Sequence, residues 1–287
     1  MIPLERRRSS LPIKGALAVF VLLIFTAFPR IVPMQTAFTQ RVNPSNSLQS
    51  VTEEQWRRLS QRRIYFGHQS VGRNVLDGLA ALQRQHPEIQ LRLVSTDDPS
   101  SVSGPAFMES NLGQNTGPSS KDQAFLSVTA KGLGTGGIAM YKYCYVDVNA
   151  NSDIAKMFAD YRATITAVRR KDPTLTIVHI TSPLTTSEPP FSAFVKKALG
   201  RRTYRDLNRK RNEFNEMLRA EYSGKDAIFD LAEAESTHPD GSRVYFQEGS
   251  KRIYSLAPEY TNDGGHLNEQ GSRAAANRLL ITLATLN

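Results

Sequence analysis

The stretch RIYFGHQSVGRNVLDGLAAL, residues 63–82, decides how the rest of the chain is read. Arg63 to Phe66 is a short apolar run with β-forming residues, which predicts a strand. After it, Val71, Val75, Leu76, Leu79 and Leu82 recur at helical spacing, and Pro87 ends that helix. A strand passing into a helix through a short turn is the first half of a βαβ unit. Outward from this unit, EEQWRRLSQR (53–62) predicts a preceding short helix and IQLRLVS (89–95) a second strand. Residues 96–122 are rich in Ser, Gly, Pro and Asn and read as a long loop, which is more often functional than idle. A third strand, IAMYKYCYVDV (138–148), precedes a helix at 153–170 with an apolar stripe at Ile154, Phe158, Tyr161, Ile165 and Val168. A fourth strand, TLTIVHITSPL, a basic helix over about 201–222, a strand in AIFDLAEA from 227 and a last helix over about 268–285 complete the pattern. Strands alternating with helices of this size predict an α/β fold: a three-layer α/β/α sandwich around a mostly parallel sheet.

The 287 residues are 40% hydrophobic and 22% charged, a composition that supports a buried core and argues against disorder. A single cysteine, Cys144, excludes an intramolecular disulfide framework and a thiolate metal cluster. The net charge of +9 is unevenly spread. Residues 1–41 hold six basic side chains (Arg6, Arg7, Arg8, Lys14, Arg30, Arg41) against Glu5, so +5 sits there and only +4 on the rest. That balance does not predict a nucleic-acid partner. Basic residues ahead of the uncharged run GALAVFVLLIFTAF (15–28) form a targeting segment. The run is short for a bilayer, which needs about 20 residues, but Ile31 and Val32 extend it beyond Pro29-Arg30, so a cleaved signal and a membrane anchor through residues 15–32 both stay open. Positive residues stay on the cytoplasmic side, so the body of the protein is expected to be exported. Residues 42–56 are expected to link this segment to a domain over 57–287.

Two groups of residues carry candidate chemistry. Ser70 stands at the carboxyl end of the first strand and at a helix N-terminus, where open α/β sheets place ligands and where amide donors can meet a developing oxyanion. Gly67 and Gly72 flank it, and the bland alternative is that Ser70 only caps the helix. Asp263-Gly264-Gly265-His266, in TNDGGHLNEQG just before the last helix, supplies what an activated serine needs: a base and a carboxylate to orient it. Asp263 and His266 as plain turn and cap residues is the alternative there.

A serine just after the first strand with Asp-x-x-His before the C-terminal helix resembles the SGNH (GDSL-like) hydrolase superfamily, over about residues 60–285. The resemblance implies a flavodoxin-like sandwich, Ser70 as nucleophile, His266 as general base, Asp263 as its orienter, and no cofactor or metal. The family's members are mostly esterases, lipases and carbohydrate O-deacetylases. Two departures stand out. Gly67-His68-Gln69-Ser70 replaces the family's Gly-Asp-Ser, and no Asn stands near Tyr143–Asp147, where the family's Gly-x-Asn-Asp, with its oxyanion donor, would fall. Asn115, in NLGQNTGPSSK, is the expected substitute donor, with Gly113 as the backbone donor. His68 is either a substrate contact or alternative base, or a strand-end histidine satisfied by backbone, and Lys142 and Asp147 are expected to pair.

Three other patterns are set aside. Gly132-Leu-Gly134-Thr-Gly-Gly137 fits a dinucleotide fingerprint but precedes a strand rather than a helix. His238, Asp240, Asp263 and His266 have no metal-ligand spacing. The basic run from Lys196 and Lys197 through Arg201, Arg202, Arg205, Arg209, Lys210 and Arg211 reads as the solvated face of an amphipathic helix. The expected protein is an exported serine esterase that removes an acyl group, most plausibly acetyl, from a carbohydrate or related small molecule. An O-acetyltransferase using the same residues and a non-catalytic glycan-binding protein on the same fold are the alternatives.

Overall fold

Strand β1 (Arg63–His68) is the hub of a parallel sheet, because its side chains serve two different cores. Ile64 and Phe66 point to one face and Tyr65 to the other. The computed structural model describes residues 47–188, 198–199 and 203–286, so the targeting segment 1–41 and Lys196, Lys197, Arg201 and Arg202 lie outside the described residues. β1 pairs with β3 (Ala106–Asn111) on one side and β4 (Ile138–Tyr141) on the other. With β2 (Leu93–Ser95), β5 (Thr176–Ile180) and β6 (Ala227–Phe229) the sheet runs β2-β3-β1-β4-β5-β6, every pair parallel. Helices α1 (Glu53–Ser60), α2 (Ser70–Gln85) and α7 (Glu269–Ala284) cover the Ile64 and Phe66 face. Helices α3 (Pro118–Ala130), α4 (Ile154–Lys171) and α5 (Tyr204–Tyr222) cover the Tyr65 face. A short helix, α6 (Leu231–Ser236), follows β6. This is the α/β/α sandwich expected from the sequence.

The chain leaves β1 through α2 onto one face, and leaves the adjacent β3 through α3 onto the other. Neighbouring strands whose connections diverge in this way open a crevice at their carboxyl ends. The residues that follow them are Gln69 and Ser70 on one side and Leu112 and Gly113 on the other.

Several sequence expectations need correction. The supposed loop 96–122 holds the central strand β3 and the start of α3. The polar residues that disguised β3 are satisfied inside the protein: Glu109 Oε2 lies 2.8 Å from His68 Nε2, and Ser110 Oγ lies 2.7 Å from the Tyr65 hydroxyl. The strand expected over 138–148 stops at Tyr141, and Tyr145–Asp147 is a 3-10 turn. Lys142 does not pair with Asp147. Asp147 binds the buried Lys121 ammonium at 2.9 Å, while Lys142 Nζ lies 3.5 Å from Cys144 Sγ. Residues expected to be linker join the core instead, since Leu48, Val51 and Trp56 are buried in it. An antiparallel hairpin, β7 (Tyr245–Glu248) with β8 (Lys251–Tyr254), was not anticipated. No helix among the described residues is long and apolar enough to cross a membrane.

Helices α2 and α7 pack with no side chain between them at one point. A Cβ on Gly78 would lie 2.1 Å from the Ser272 carbonyl oxygen, a contact that only glycine permits. Gly78→Ala would gain about 1 kcal/mol of helix propensity, but the rigid α7 backbone must move away. The expected net outcome is a loss of roughly 1–3 kcal/mol by denaturant titration.

Two buried groups set the acid–base behaviour of the fold. Burial pushes the Glu235 carboxyl up to about 8, against the opposing pull of the Leu184 amide, Lys142 and Arg211. Burial pulls His179 down to about 4 where it stacks on Tyr222. Glu235 holds its proton in the folded protein, so its stabilising contribution is complete below about 4.5 and is lost as pH rises toward 8. His179 acts in the opposite sense: its contribution is complete above about 6.5 and is lost as pH falls toward 4. The two effects oppose each other below pH 6.5, leaving Glu235 alone between about 6.5 and 8. Its contribution to stability should fall there by up to about 1.4 kcal/mol per pH unit. Glu235→Gln is expected to flatten that slope, as read by chemical denaturation at pH 6.5, 7.2 and 8.

Candidate active site

Gln69, not Ser70, is the N-cap residue of α2, and its side chain does not cap the helix. Its carboxamide instead donates to the carbonyls of Gly113 at 2.8 Å and Leu112 at 3.2 Å. Ser70 is therefore the first residue of the helix. It is exposed, and its hydroxyl holds no hydrogen bond among the described residues. The helix-capping alternative for Ser70 does not match this placement. The Gln69 link also brings the turn after β3 alongside the start of α2. Gly113 sits there at φ +59°, and a Cβ on it would lie 2.6 Å from the Lys121 amide nitrogen. The Gly113 amide has no partner among the described residues.

The Asp263–His266 turn is organised by one carboxylate. Asp263 Oδ2 accepts a hydrogen bond from His266 Nδ1–H at 2.6 Å, and Oδ1 accepts from the amides of His266 at 2.8 Å and Gly265 at 2.9 Å. The His266 bond, aided by these amides, holds the Asp263 carboxyl well below the usual carboxylate range. With Nδ1–H committed to Asp263, the lone pair of neutral His266 is on Nε2, the state a general base requires. The turn is fixed to α2 by the Leu267 amide, which donates to Asn74 Oδ1 at 3.2 Å. Asn74 lies one helical turn beyond Ser70, so this bond brings the base and the serine to the same end of α2. The Gly264 carbonyl accepts from Thr186, past the end of β5. No hydrogen bond joins Ser70 to His266 among the described residues.

Tyr145 completes this side of the crevice. Its hydroxyl lies 3.4 Å from His266 Nε2, and its ring meets the imidazole edge-on at 5.6 Å between centroids. A Cβ on Gly265 would lie 2.9 Å from the Tyr145 ring, so the glycine makes room for it. The Tyr145 carbonyl receives two bonds from Arg211, at 3.1 and 2.9 Å. Arg211 also donates to Thr185 Oγ1 at 2.8 Å and Asn208 Oδ1 at 2.9 Å. It was expected on a solvated face, yet it is buried, and burial pulls its guanidinium down to about 10. The basic run thus divides, with Arg209 paired to Glu248 on the surface and Arg211 turned into the protein. The Gly113 and Tyr145 turns are themselves joined through Lys121 and Asp147. Lys121 donates to the Gln114 carbonyl at 2.6 Å, and Asp147 accepts the Cys144 amide at 2.6 Å.

The remaining sequence candidates lie elsewhere. His68 does not face the crevice as a substrate contact: it is fully buried, with Nε2 on Glu109 and Nδ1 at 3.1 Å from the Gln69 carbonyl. Arg73 holds the other Glu109 oxygen at 3.0 Å. Asn115 is exposed on the turn after Gly113, and its side chain has no hydrogen bond among the described residues. His238 pairs with Glu259, and Asp240 binds Ser242, so neither joins Asp263 and His266. The sequence pointed to no site role for Tyr145, Asn74, Gln69 or Arg211, the last being expected on a solvated face. Only Tyr145 had a usable signal, because it falls in the segment where the family's Asn was sought.

No family model and no curated protein matches this chain. Among solved structures, it is similar to a GDSL-like lipase from Bacteroides thetaiotaomicron, at 12% identity, 78% coverage of this chain, 89% of that one and a TM-score of 0.44. It is also similar to the periplasmic domain of a lipopolysaccharide acetyltransferase from Salmonella ser. Paratyphi A, at 11% identity, 77% and 83% coverage and a TM-score of 0.43. A third such structure is the family 3 carbohydrate esterase of Clostridium thermocellum, at 13% identity, 75% and 92% coverage and a TM-score of 0.38. In its own architecture the chain is an α/β/α sandwich around a parallel sheet, with Ser70 leaving the first strand and Asp263-Gly264-Gly265-His266 entering the last helix.

Proposed function

We propose that this protein is an exported serine esterase that removes an acyl group, acetyl above all, from a carbohydrate or related small molecule through an acyl-Ser70 intermediate. The observation that carries this reading is the 2.6 Å Asp263–His266 bond on a turn tied to the helix that begins at an uncommitted Ser70. Ser70 Oγ attacks the ester carbonyl as His266 Nε2 takes its proton. Asp263 keeps the proton on Nδ1 and stabilises the imidazolium that forms. The alcohol leaves with the proton from Nε2–H, and water, activated by the same nitrogen, then releases the acid. The Gly113 amide and the first amides of α2 supply backbone donors to the oxyanion, assisted by the positive end of the helix dipole. Transfer of the acyl group to a sugar hydroxyl instead of water uses the same steps and is the second reading. The preference for a carbohydrate, and export itself, rest on the family resemblance and on the basic–apolar segment at residues 6–28.

The test is labelling of the full-length protein with a fluorophosphonate probe. Wild type is expected to label, Ser70→Ala to lose labelling completely, and His266→Ala to label at least about 100-fold more slowly. Asp263→Asn, which puts the imidazole proton on the wrong nitrogen, is expected to lower ester turnover by about 10⁴-fold with the protein still folded. A folded wild type that does not label would favour a binding protein over an enzyme.

A further inference from the structure

The segment where the family's oxyanion asparagine was sought holds Tyr145 beside His266. Three observations bear on Tyr145. Its hydroxyl already lies 3.4 Å from His266 Nε2, the atom that handles the Ser70 proton, so it reaches the place where bonds change. Burial, reinforced by the Asp263 charge, raises its pKa, so the phenol keeps the proton it would donate. Its backbone is held by more than its local chain requires: Arg211 is 2% exposed and has no carboxylate hydrogen-bond partner among the described residues, yet it directs two of its bonds to the Tyr145 carbonyl. Removing a guanidinium from water without a counter-charge is costly. Here the bonds fix a turn that lies beyond the end of β4, where no sheet ladder can hold it. Asn115 has none of these features, being exposed with no hydrogen bond to its side chain among the described residues.

We infer that Tyr145 is a catalytic residue that donates its phenolic hydrogen bond to the oxyanion, in the role the family gives to an asparagine, and that Arg211 positions it. The assignment rests on the serine-esterase reading. In the resting site the phenol faces the Nε2 lone pair. When Ser70 Oγ bonds to the carbonyl carbon, its proton passes to Nε2 and the C=O π pair moves onto oxygen. Nε2 is then a donor, and the Tyr145 hydroxyl turns to the new oxyanion without giving up its proton. On collapse the pair returns to the C=O bond, and the leaving alcohol takes the proton from Nε2.

The test uses full-length protein, p-nitrophenyl acetate as substrate and phenylboronic acid as a tetrahedral mimic. Tyr145→Phe is expected to lower kcat about 10²–10³-fold with KM within about twofold, and to weaken phenylboronic acid by a comparable factor, with thermal melting unchanged. Arg211→Met should lower kcat without raising KM, and Arg211→Lys should restore part of the loss, a pattern that general destabilisation would not give. Asn115→Ala should turn over as wild type. A Tyr145→Phe protein with wild-type kcat and boronate affinity, or a loss that follows Asn115→Ala instead, overturns the assignment while wild type still labels at Ser70. Absence of fluorophosphonate labelling in folded wild type overturns the esterase reading, and the assignment with it.

Discussion

Helices α2 and α7 meet backbone to backbone at Gly78 and Ser272, and the candidate site depends on that contact. Ser70 and His266 are far apart in the sequence, so only tertiary packing can bring them near one another. Close approach without intervening side chains fixes both the separation and the axial register of the two helices. The register carries to their N-terminal ends, where Leu267 donates to Asn74 across 193 residues of sequence. A second tight point, where a Cβ on Gly271 would lie 2.5 Å from the Tyr260 carbonyl, seats the first turn of α7. Small shifts at these glycines would displace His266 relative to Ser70, and effective catalysis tolerates little such displacement.

The other wall of the crevice is built by a different means. Past the carboxyl ends of β3 and β4 there is no ladder to hold the chain, and buried polar groups replace it. Lys121 and Asp147 join the Gly113 turn to the Tyr145 turn, and Arg211 fastens the latter to α5. Such buried pairs are weak contributors to net stability, because desolvation offsets most of their attraction. Their physical effect is conformational: each partner left alone would be a buried, unpaired charge, so alternative arrangements of the two turns are heavily disfavoured.

What the sequence disclosed follows from the range of the interactions involved. Helix stripes such as Val71, Val75, Leu76 and Leu79 are local and were readable, as was the Asp263–His266 turn, whose bonds close within three residues. β3 was hidden because Glu109 and Ser110 find their partners in another strand, and no local pattern shows that they are satisfied. The same limit explains Arg211. Its neighbours Arg209 and Lys210 pair with Glu248 and Glu213 at the surface, while one position further along the helix turns the guanidinium inward. Lys142 and Asp147 looked like partners by spacing on one strand, but the strand ends at Tyr141, before either of them.

The block Gly67-His68-Gln69-Ser70, where the sequence departs from the Gly-Asp-Ser pattern, is well ordered by its packing. Gly67 lies where a Cβ would strike Leu112, His68 binds Glu109 of the neighbouring strand, and Gln69 ties down the Gly113 turn, while the Ser70 hydroxyl holds no hydrogen bond among the described residues. Three of the four residues are thus engaged in holding the surroundings of the fourth. The Asp263–His266 pair is ordered too. Both side chains are substantially exposed, and a polar contact in that setting adds little to stability. A short bond in water, supported by two backbone amides, has a clearer physical consequence in the tautomer it imposes, which leaves the imidazole lone pair on Nε2, beside the Tyr145 hydroxyl.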